Sequence, residues 1–362
     1  MEKEAAVELN ATIPALLARQ VVAHGSETIL RKKDRGIWRS VSWSELNRHV
    51  MDIGQGLRAI GLTAGSAAAV ISGTRPELAY ADLAILGCGA ISVAIHPEEE
   101  AARVAEILQD ANVTIAIVED EEQLDKVLSQ RSVCPSLQRI AIVDMKGLRD
   151  FSDASCVSLD DLIALGTGQS DWKAASEAIT AGHIAAILYP RLGAGHPITH
   201  GAIMQQLEET ARSLGVTAGD ERLSVLPMCD PTERVLGLYL ALANRVVSNY
   251  LENPETATEN LREVKPTVLG ANTEAWERLR FRIETMAAGA TGLQKMAYRW
   301  AIGGGFLANW LVLPAIRGEL GFGRLRVAYV GDAPVSVETG RWASALGITV
   351  KYINPFEGET HA

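Results

Sequence analysis

The chain has 362 residues, 48% of them hydrophobic, and carries 34 Lys and Arg against 44 Asp and Glu, for a net charge of -10. That length suffices for one large domain or two ordinary ones with well-packed cores. No cluster of Lys and Arg is large enough to build the basic face that a nucleic-acid binder needs.

The start, Met-Glu-Lys-Glu-Ala-Ala, lacks the basic-then-apolar pattern of a signal peptide. A helix is expected over residues 11–24, then a hairpin over 28–30 and 38–43 that turns at Asp34-Arg35-Gly36. Ser42-Trp43-Ser44-Glu45 has capping-box spacing, so a second helix starts there and stops at Gly61. Apolar runs at 67–72, 90–95, 114–118 and 139–143 read as strands buried on both faces, with helices at 76–88, 101–110 and 121–130 between them. The acidic runs Glu98-Glu99-Glu100 and Glu119-Asp120-Glu121-Glu122 read as solvated helix starts and loops.

Residues 151–178 are polar and poorly periodic, a linker with one short helix around 158–165. A second series of strands follows at 183–188, 222–226, 245–249, 267–271, 325–330 and 349–352, with helices in the gaps. The most apolar stretch, 301–316, is shorter than the roughly 20 residues of a membrane span. It also holds Asn309 and Pro314, and it reads as a buried helix rather than a transmembrane segment. Alternating strands and helices imply an α/β fold of mainly parallel sheets, divided into subdomains at 1–178 and 179–362. Cys88, Cys134, Cys156 and Cys229 are widely spaced, with no Cys-x-x-Cys pair. They suit a reducing, cytoplasmic setting and argue against both a disulfide framework and a zinc site.

Several segments carry a resemblance. They include Gly36-Ile37-Trp38-Arg39-Ser40-Val41-Ser42-Trp43, Arg75-Pro76-Glu77 with Ala81-Asp82-Leu83-Ala84-Ile85-Leu86, and Glu121-Glu122-Gln123-Leu124-Asp125-Lys126-Val127. Further on stand Leu226-Pro227, Glu233-Arg234-Val235, Arg262-Glu263-Val264-Lys265-Pro266-Thr267, Ala333-Pro334-Val335-Ser336 and Ala345-Leu346-Gly347-Ile348. From about residue 11 onward the chain resembles the large N-terminal domain of AMP-forming acyl-CoA synthetases of the long-chain type, in the adenylate-forming superfamily. The resemblance implies two stacked α/β subdomains, a nucleotide site and an acyl pocket. The cofactors it implies are ATP with Mg2+ and coenzyme A.

Such an enzyme joins a carboxylate to the α-phosphate of ATP, so it must neutralise negative charge with backbone N–H groups, lysines and a cation. The family's phosphate loop, approximately Tyr-Thr-Ser-Gly-Thr-Thr-Gly-x-Pro-Lys, corresponds here to Tyr189-Pro190-Arg191-Leu192-Gly193-Ala194-Gly195-His196-Pro197 with Thr199-His200 after it. Pro190 has no N–H to donate, the hydroxyls are gone, and no lysine lies between Tyr189 and Met204. Arg191 is the one cation in the loop, with a fork geometry unlike a lysine's point charge. Asp230 replaces a motif histidine, beside Glu233. A carboxylate there repels an incoming fatty acid or phosphate. The adenine-side Gly-Gly-Ala-Pro becomes Gly331-Asp332-Ala333-Pro334, and of Tyr-Gly-x-Thr-Glu-Thr only Glu359 and Thr360 remain, Glu359 as the Mg2+ candidate. The acyl pocket maps to Gly270, Ala271, Asn272 and Trp276. The spacing of His183, His196 and His200 places them on no common helix face and suggests no metal site.

The family's ribose-gripping Asp, hinge and C-terminal lid domain would follow residue 362, so a truncated pseudoenzyme is the expectation. It would act as an acyl-binding, scaffold or partner subunit, with homodimers known among relatives. Two alternatives are an active ligase completed by a separate C-terminal chain and a decayed gene product.

Overall fold

The computed structural model describes residues 12–168, 172–189, 193–289, 291–302 and 313–354. In chain order the helices and strands are α1 (Ile13–His24), β1 (Thr28–Asp34), β2 (Ile37–Ser42), α2 (Trp43–Ala59), β3 (Ala67–Ile71), α3 (Pro76–Gly87) and β4 (Ile91–Ile95). Next come α4 (Ala101–Asp110), β5 (Val113–Val118), α5 (Glu121–Ser129), β6 (Arg139–Ile142), β7 (Cys156–Ser158), α6 (Leu159–Gly166) and α7 (Trp172–Glu177). The second half holds β8 (Ile184–Leu188), β9 (His196–Thr199), α8 (His200–Leu214), β10 (Glu221–Ser224), a π-helical segment (Thr232–Tyr239), α9 (Leu240–Asn244) and β11 (Val247–Tyr250). It closes with α10 (Ala257–Val264), β12 (Val268–Gly270), α11 (Thr273–Gly289), α12 (Gly292–Ile302), α13 (Leu313–Glu319), β13 (Val327–Val330), α14 (Val337–Ala345) and β14 (Val350–Tyr352).

Local chemistry explains the starts of these elements. Ser42 and Glu45 exchange hydrogen bonds at the head of α2, each side chain accepting from the other's backbone N–H at 3.2 and 2.8 Å. Asp120 and Thr199 cap α5 and α8 in the same way, accepting from Gln123 and Ala202. The β3 strand, Ala-Ala-Ala-Val-Ile, is buried throughout, as expected of a central parallel strand.

Two seven-stranded sheets result, ordered β7-β6-β5-β3-β4-β8-β9 and β14-β13-β12-β10-β11-β1-β2. Within each, every pairing is parallel except one antiparallel pair at an end, β8 with β9 and β1 with β2. The strands do not divide between the sheets at 178/179. The hairpin β1–β2 pairs with β11 in the second sheet, Leu30 opposite Ser248, and β8 joins the first beside β4, Ser92 opposite Ala186. Residues 151–178 are more than a linker, since β7 adds an edge strand beside β6 and α6 packs on α2. The contact is close because Gly54 and Gly87 leave room for the Trp172 ring, and Gly56 for the Leu162 backbone. Of the apolar stretch 301–316, residues 303–312 lie outside the described residues, and Leu313 to Ile316 begin α13.

The two halves are tied by adjacent residues of the π-helical segment. Arg234 reaches into the first half, where its guanidinium meets Asp82 of α3 at 2.5 Å and the carbonyl of Ser92 of β4 at 3.3 Å. Tyr239 and Ser92 donate to the same carboxylate, both at 2.6 Å. Glu233 turns the other way and meets Arg222 of β10 at 2.5 Å. All four charged side chains are buried.

Breaking a buried pair by removing one partner costs about 3–5 kcal/mol, because the other charge stays uncompensated. Arg234→Met is therefore expected to lose about that much stability in urea unfolding. Arg234→Met with Asp82→Asn should lose less, since the amide carries no charge and still accepts from Tyr239. An Arg234→Met midpoint equal to wild type would refute this account of the seam.

Candidate functional site

Parallel α/β sheets bind ligands beyond the carboxyl ends of their strands. Here those ends from both sheets converge on one cleft of about 520 Å3. The first sheet contributes His96, Glu98 and Glu99 after β4, and Tyr189 after β8. The second contributes Pro227 and Cys229 to Thr232 after β10, Asn272 after β12, Gly331 and Asp332 after β13, and Asn354 after β14.

Of the residues singled out in the sequence, Tyr189, Asp230, Asn272, Gly331 and Asp332 line this cleft together. The four of them with polar side chains each already make a hydrogen bond. Asp332 accepts from the backbone N–H and hydroxyl of Thr273 at 3.0 Å, and Asn272 accepts from the Ala275 N–H at 2.8 Å. Both thereby hold the N-terminus of α11. Asp230 accepts from the Thr232 N–H at 2.8 Å, and the Tyr189 hydroxyl donates to Asp110 at 2.6 Å. A Cβ on Gly331 would lie 2.8 Å from Cβ of Thr232, so a side chain there would force apart the two neighbouring strand-end loops of the second sheet.

The other singled-out residues stand elsewhere. Glu233 is spent on Arg222 and does not reach the cleft. Gly270 is covered by the Tyr329 ring, whose hydroxyl donates to the Leu236 carbonyl at 2.7 Å. Ala271 is buried, and Trp276 packs against Phe322 with ring centroids 6.1 Å apart in the second sheet's core. Trp276 is thus core, not a wall of this cleft. Thr199 caps α8, and Gly195 makes room for Ile187 and Tyr189. Gly193, with φ of 129°, gives its carbonyl to Arg103 at 2.7 Å. Ala333 and Pro334 form the turn after Asp332, where the Ala333 carbonyl accepts from Thr273. Arg191, Glu359 and Thr360 lie outside the described residues.

Motif reading missed His96, Glu98 and Glu99. The acidic run reaches water, as expected, but two of its carboxylates also face the cleft. The usable signal was position, directly after a buried parallel strand.

The electrostatics are one-sided. Glu98, Glu99, Asp230, Glu274 and Asp332 line the cleft, with no Lys or Arg among the described lining residues. Burial lifts the Asp230 carboxyl above the ordinary aspartate range, against the hydrogen bonds from Thr232 and with help from Asp332. Burial, with Asp230 beside it, also pushes the Cys229 thiol up, so it holds its proton. His200 is pulled down to about 4, by burial and then by His183, and accepts from the Ile13 N–H at 3.4 Å. No group of three or more His, Cys, Asp or Glu among the described residues is arranged to hold a metal. The described lining therefore offers no side-chain cation to a triphosphate.

Two such sheets meeting at a strand-end cleft make the N-terminal domain fold of adenylate-forming enzymes. The adenylation domain of a carboxylate reductase from Mycobacterium chelonae shares it with a TM-score of 0.75 at 18% identity, over 94% of this chain and 57% of that one. This chain belongs to the AMP-binding enzyme family, which matches residues 17–354. It is 22% identical over 367 residues to the long-chain-fatty-acid–CoA ligase ACSBG2 of Homo sapiens, covering 94% of this chain and 55% of the relative. It is 24% identical over 342 residues to the long-chain-fatty-acid–CoA ligase FadD15 of Mycobacterium bovis, covering 87% and 55%. The chain spans about half the length of the curated relatives it matches. No helix among the described residues is long and apolar enough to cross a membrane.

A carboxyl raised in the folded state holds its proton more tightly there than in the unfolded chain, so ionisation opposes folding. Stability from this group is full below the ordinary aspartate value of about 4. It is lost as pH rises through the raised folded value. Asp230→Asn keeps an acceptor for Thr232 and should melt higher than wild type at pH 7, with the difference vanishing towards pH 3. Equal melting at both pH values would contradict a buried, raised carboxyl.

Proposed function

We propose that this chain is an acyl-CoA-ligase-like member of its family that does not adenylate, and that it acts as a binding or partner subunit. The observation that carries this reading is the cleft lining, which has carboxylates where a triphosphate would need cations. The absence of a lysine from 189 to 204 supports it independently. An acyl ligand belongs to the proposal because the relatives are named as fatty-acid–CoA ligases. Its place at Gly270 and Trp276 is disfavoured, because Tyr329 and Phe322 occupy the adjoining space. A cytoplasmic setting is part of the same proposal.

A second reading is an active ligase, using ATP, Mg2+ and coenzyme A, completed by residues beyond this chain or on a partner. The fold and strand-end cleft of the family favour it, together with a span of about half its curated relatives.

Fatty-acid-dependent ATP–pyrophosphate exchange separates the two readings, since it reports adenylation without coenzyme A. The folded chain is expected to show no exchange above a no-acid control with acids of any length. Asp230→His, which restores the family residue, should not create exchange while the cleft keeps its other carboxylates. Clear acid-dependent exchange by the wild-type chain would replace the first reading with the second.

A further inference from the structure

Helices α11 and α12 pack on each other and on α14. Their inner sides bury Trp276 and Ile283 and bring Leu279, Tyr298 and Ile302 onto the core. The Tyr298 oxygen accepts from the Trp342 indole N–H at 3.1 Å, which fixes α12 against α14. The outer sides are unlike an ordinary solvated surface. Phe281 is 70% exposed, Met286 64%, Met296 63% and Trp300 43%. Single exposed apolar residues are unremarkable, but these stand on two adjacent helices, and Met296 and Trp300 are four apart on one face with Arg299 beside them.

The cations are distributed in a telling way. Arg278 pairs with Glu274, and Arg280 with Glu277 and Glu284. Arg282, Lys295 and Arg299 have no carboxylate partner among the described residues. Unpaired cations beside exposed aromatic and Met side chains thus sit on a protein whose net charge is -10.

We infer that the outer face of α11 and α12 binds an anionic lipid surface, with Phe281, Met286, Met296 and Trp300 entering the headgroup boundary and Arg282, Lys295 and Arg299 meeting lipid phosphates. Helices that lie in a bilayer interface pair apolar and aromatic side chains with Lys and Arg in this manner, and Trp favours the headgroup level. A protein interface shares the enrichment in aromatic residues, Met and Arg, but its core is depleted in charge, whereas the three unpaired cations here match lipid phosphates. The contact is peripheral, and it does not depend on whether the cleft adenylates.

Co-sedimentation of the full chain with vesicles tests this, using phosphatidylcholine alone and phosphatidylcholine with about one-third phosphatidylglycerol. The wild type is expected to partition onto the anionic vesicles at low salt and to release at high salt. The Arg282→Glu, Lys295→Glu, Arg299→Glu triple variant should bind at least about a hundredfold more weakly, at about fivefold per cation lost. The Phe281→Ser, Met296→Ser, Trp300→Ser variant should also lose binding. Thermal melting checks that both remain folded. If the apolar variant does not fold, the charge variant decides alone, since Arg282 and Arg299 are exposed, Lys295 is half-buried, and none of the three has a carboxylate partner among the described residues. No wild-type binding overturns the inference, as does binding that ignores lipid charge or survives the charge reversal. A wild-type dimer that the apolar variant dissolves, with no lipid binding by either, would assign the face to a second copy.

Discussion

The contact between Arg234 and Asp82 sets the geometry of everything near the cleft. Two charges buried together are tolerated only when the remaining polar atoms are also satisfied, and here Tyr239 and Ser92 satisfy the carboxylate while the Ser92 carbonyl takes the guanidinium. Asp82 and Ser92 belong to the first half, on α3 and β4. Strand β4 runs directly into His96 to Glu99, one wall of the cleft, and Arg234 follows directly on Pro227 and Cys229 to Thr232, the opposite wall. A seam whose partners must meet within hydrogen-bond distance therefore also fixes how far apart the walls stand.

Local hydrogen bonding competes with ligand binding for the same atoms. Asp332, Asn272 and Thr199 occupy positions where relatives of this kind are expected to meet nucleotide or acyl groups, yet each caps or anchors a helix N-terminus here. A carboxylate that already accepts an N–H and a hydroxyl has less capacity for a ligand, and its charge stays in the cleft to repel phosphate. The same side chains that line the strand ends thus also hold helix N-termini in place.

The central strands were readable because complete burial leaves a continuous apolar run, as in residues 67–71 and 115–118. The capping box at Ser42 and the Pro at the head of α3 marked helix starts by local chemistry alone. The short edge strands β7 and β9 were not legible. Three or four residues give too little periodicity, and Pro197 argues against a strand unless it lies at an edge, which is where β9 lies. Sheet membership of the hairpin β1–β2 was also hidden, because its pairing with β11 joins residues more than two hundred positions apart. Motif alignment placed Asp230, Asn272 and Asp332 at the cleft, but it could not distinguish Glu233 and Trp276, whose roles are set by Arg222 and Phe322.

Glu233 shows why motif position and chemical role separate. Successive residues of a helical segment point in different directions, so Glu233 can bind its own sheet while Arg234 binds the other half. Gly237 belongs to the same arrangement, for a Cβ there would lie 2.7 Å from an Arg222 nitrogen and 3.0 Å from the Glu233 carboxyl carbon. These demands are packing demands, and they hold whether or not phosphate is ever handled. A Glu-Arg signature in such a chain therefore reports the seam of the fold. Competence for adenylation has to be read from the strand-end loops, whose described cleft-lining side chains carry negative charge.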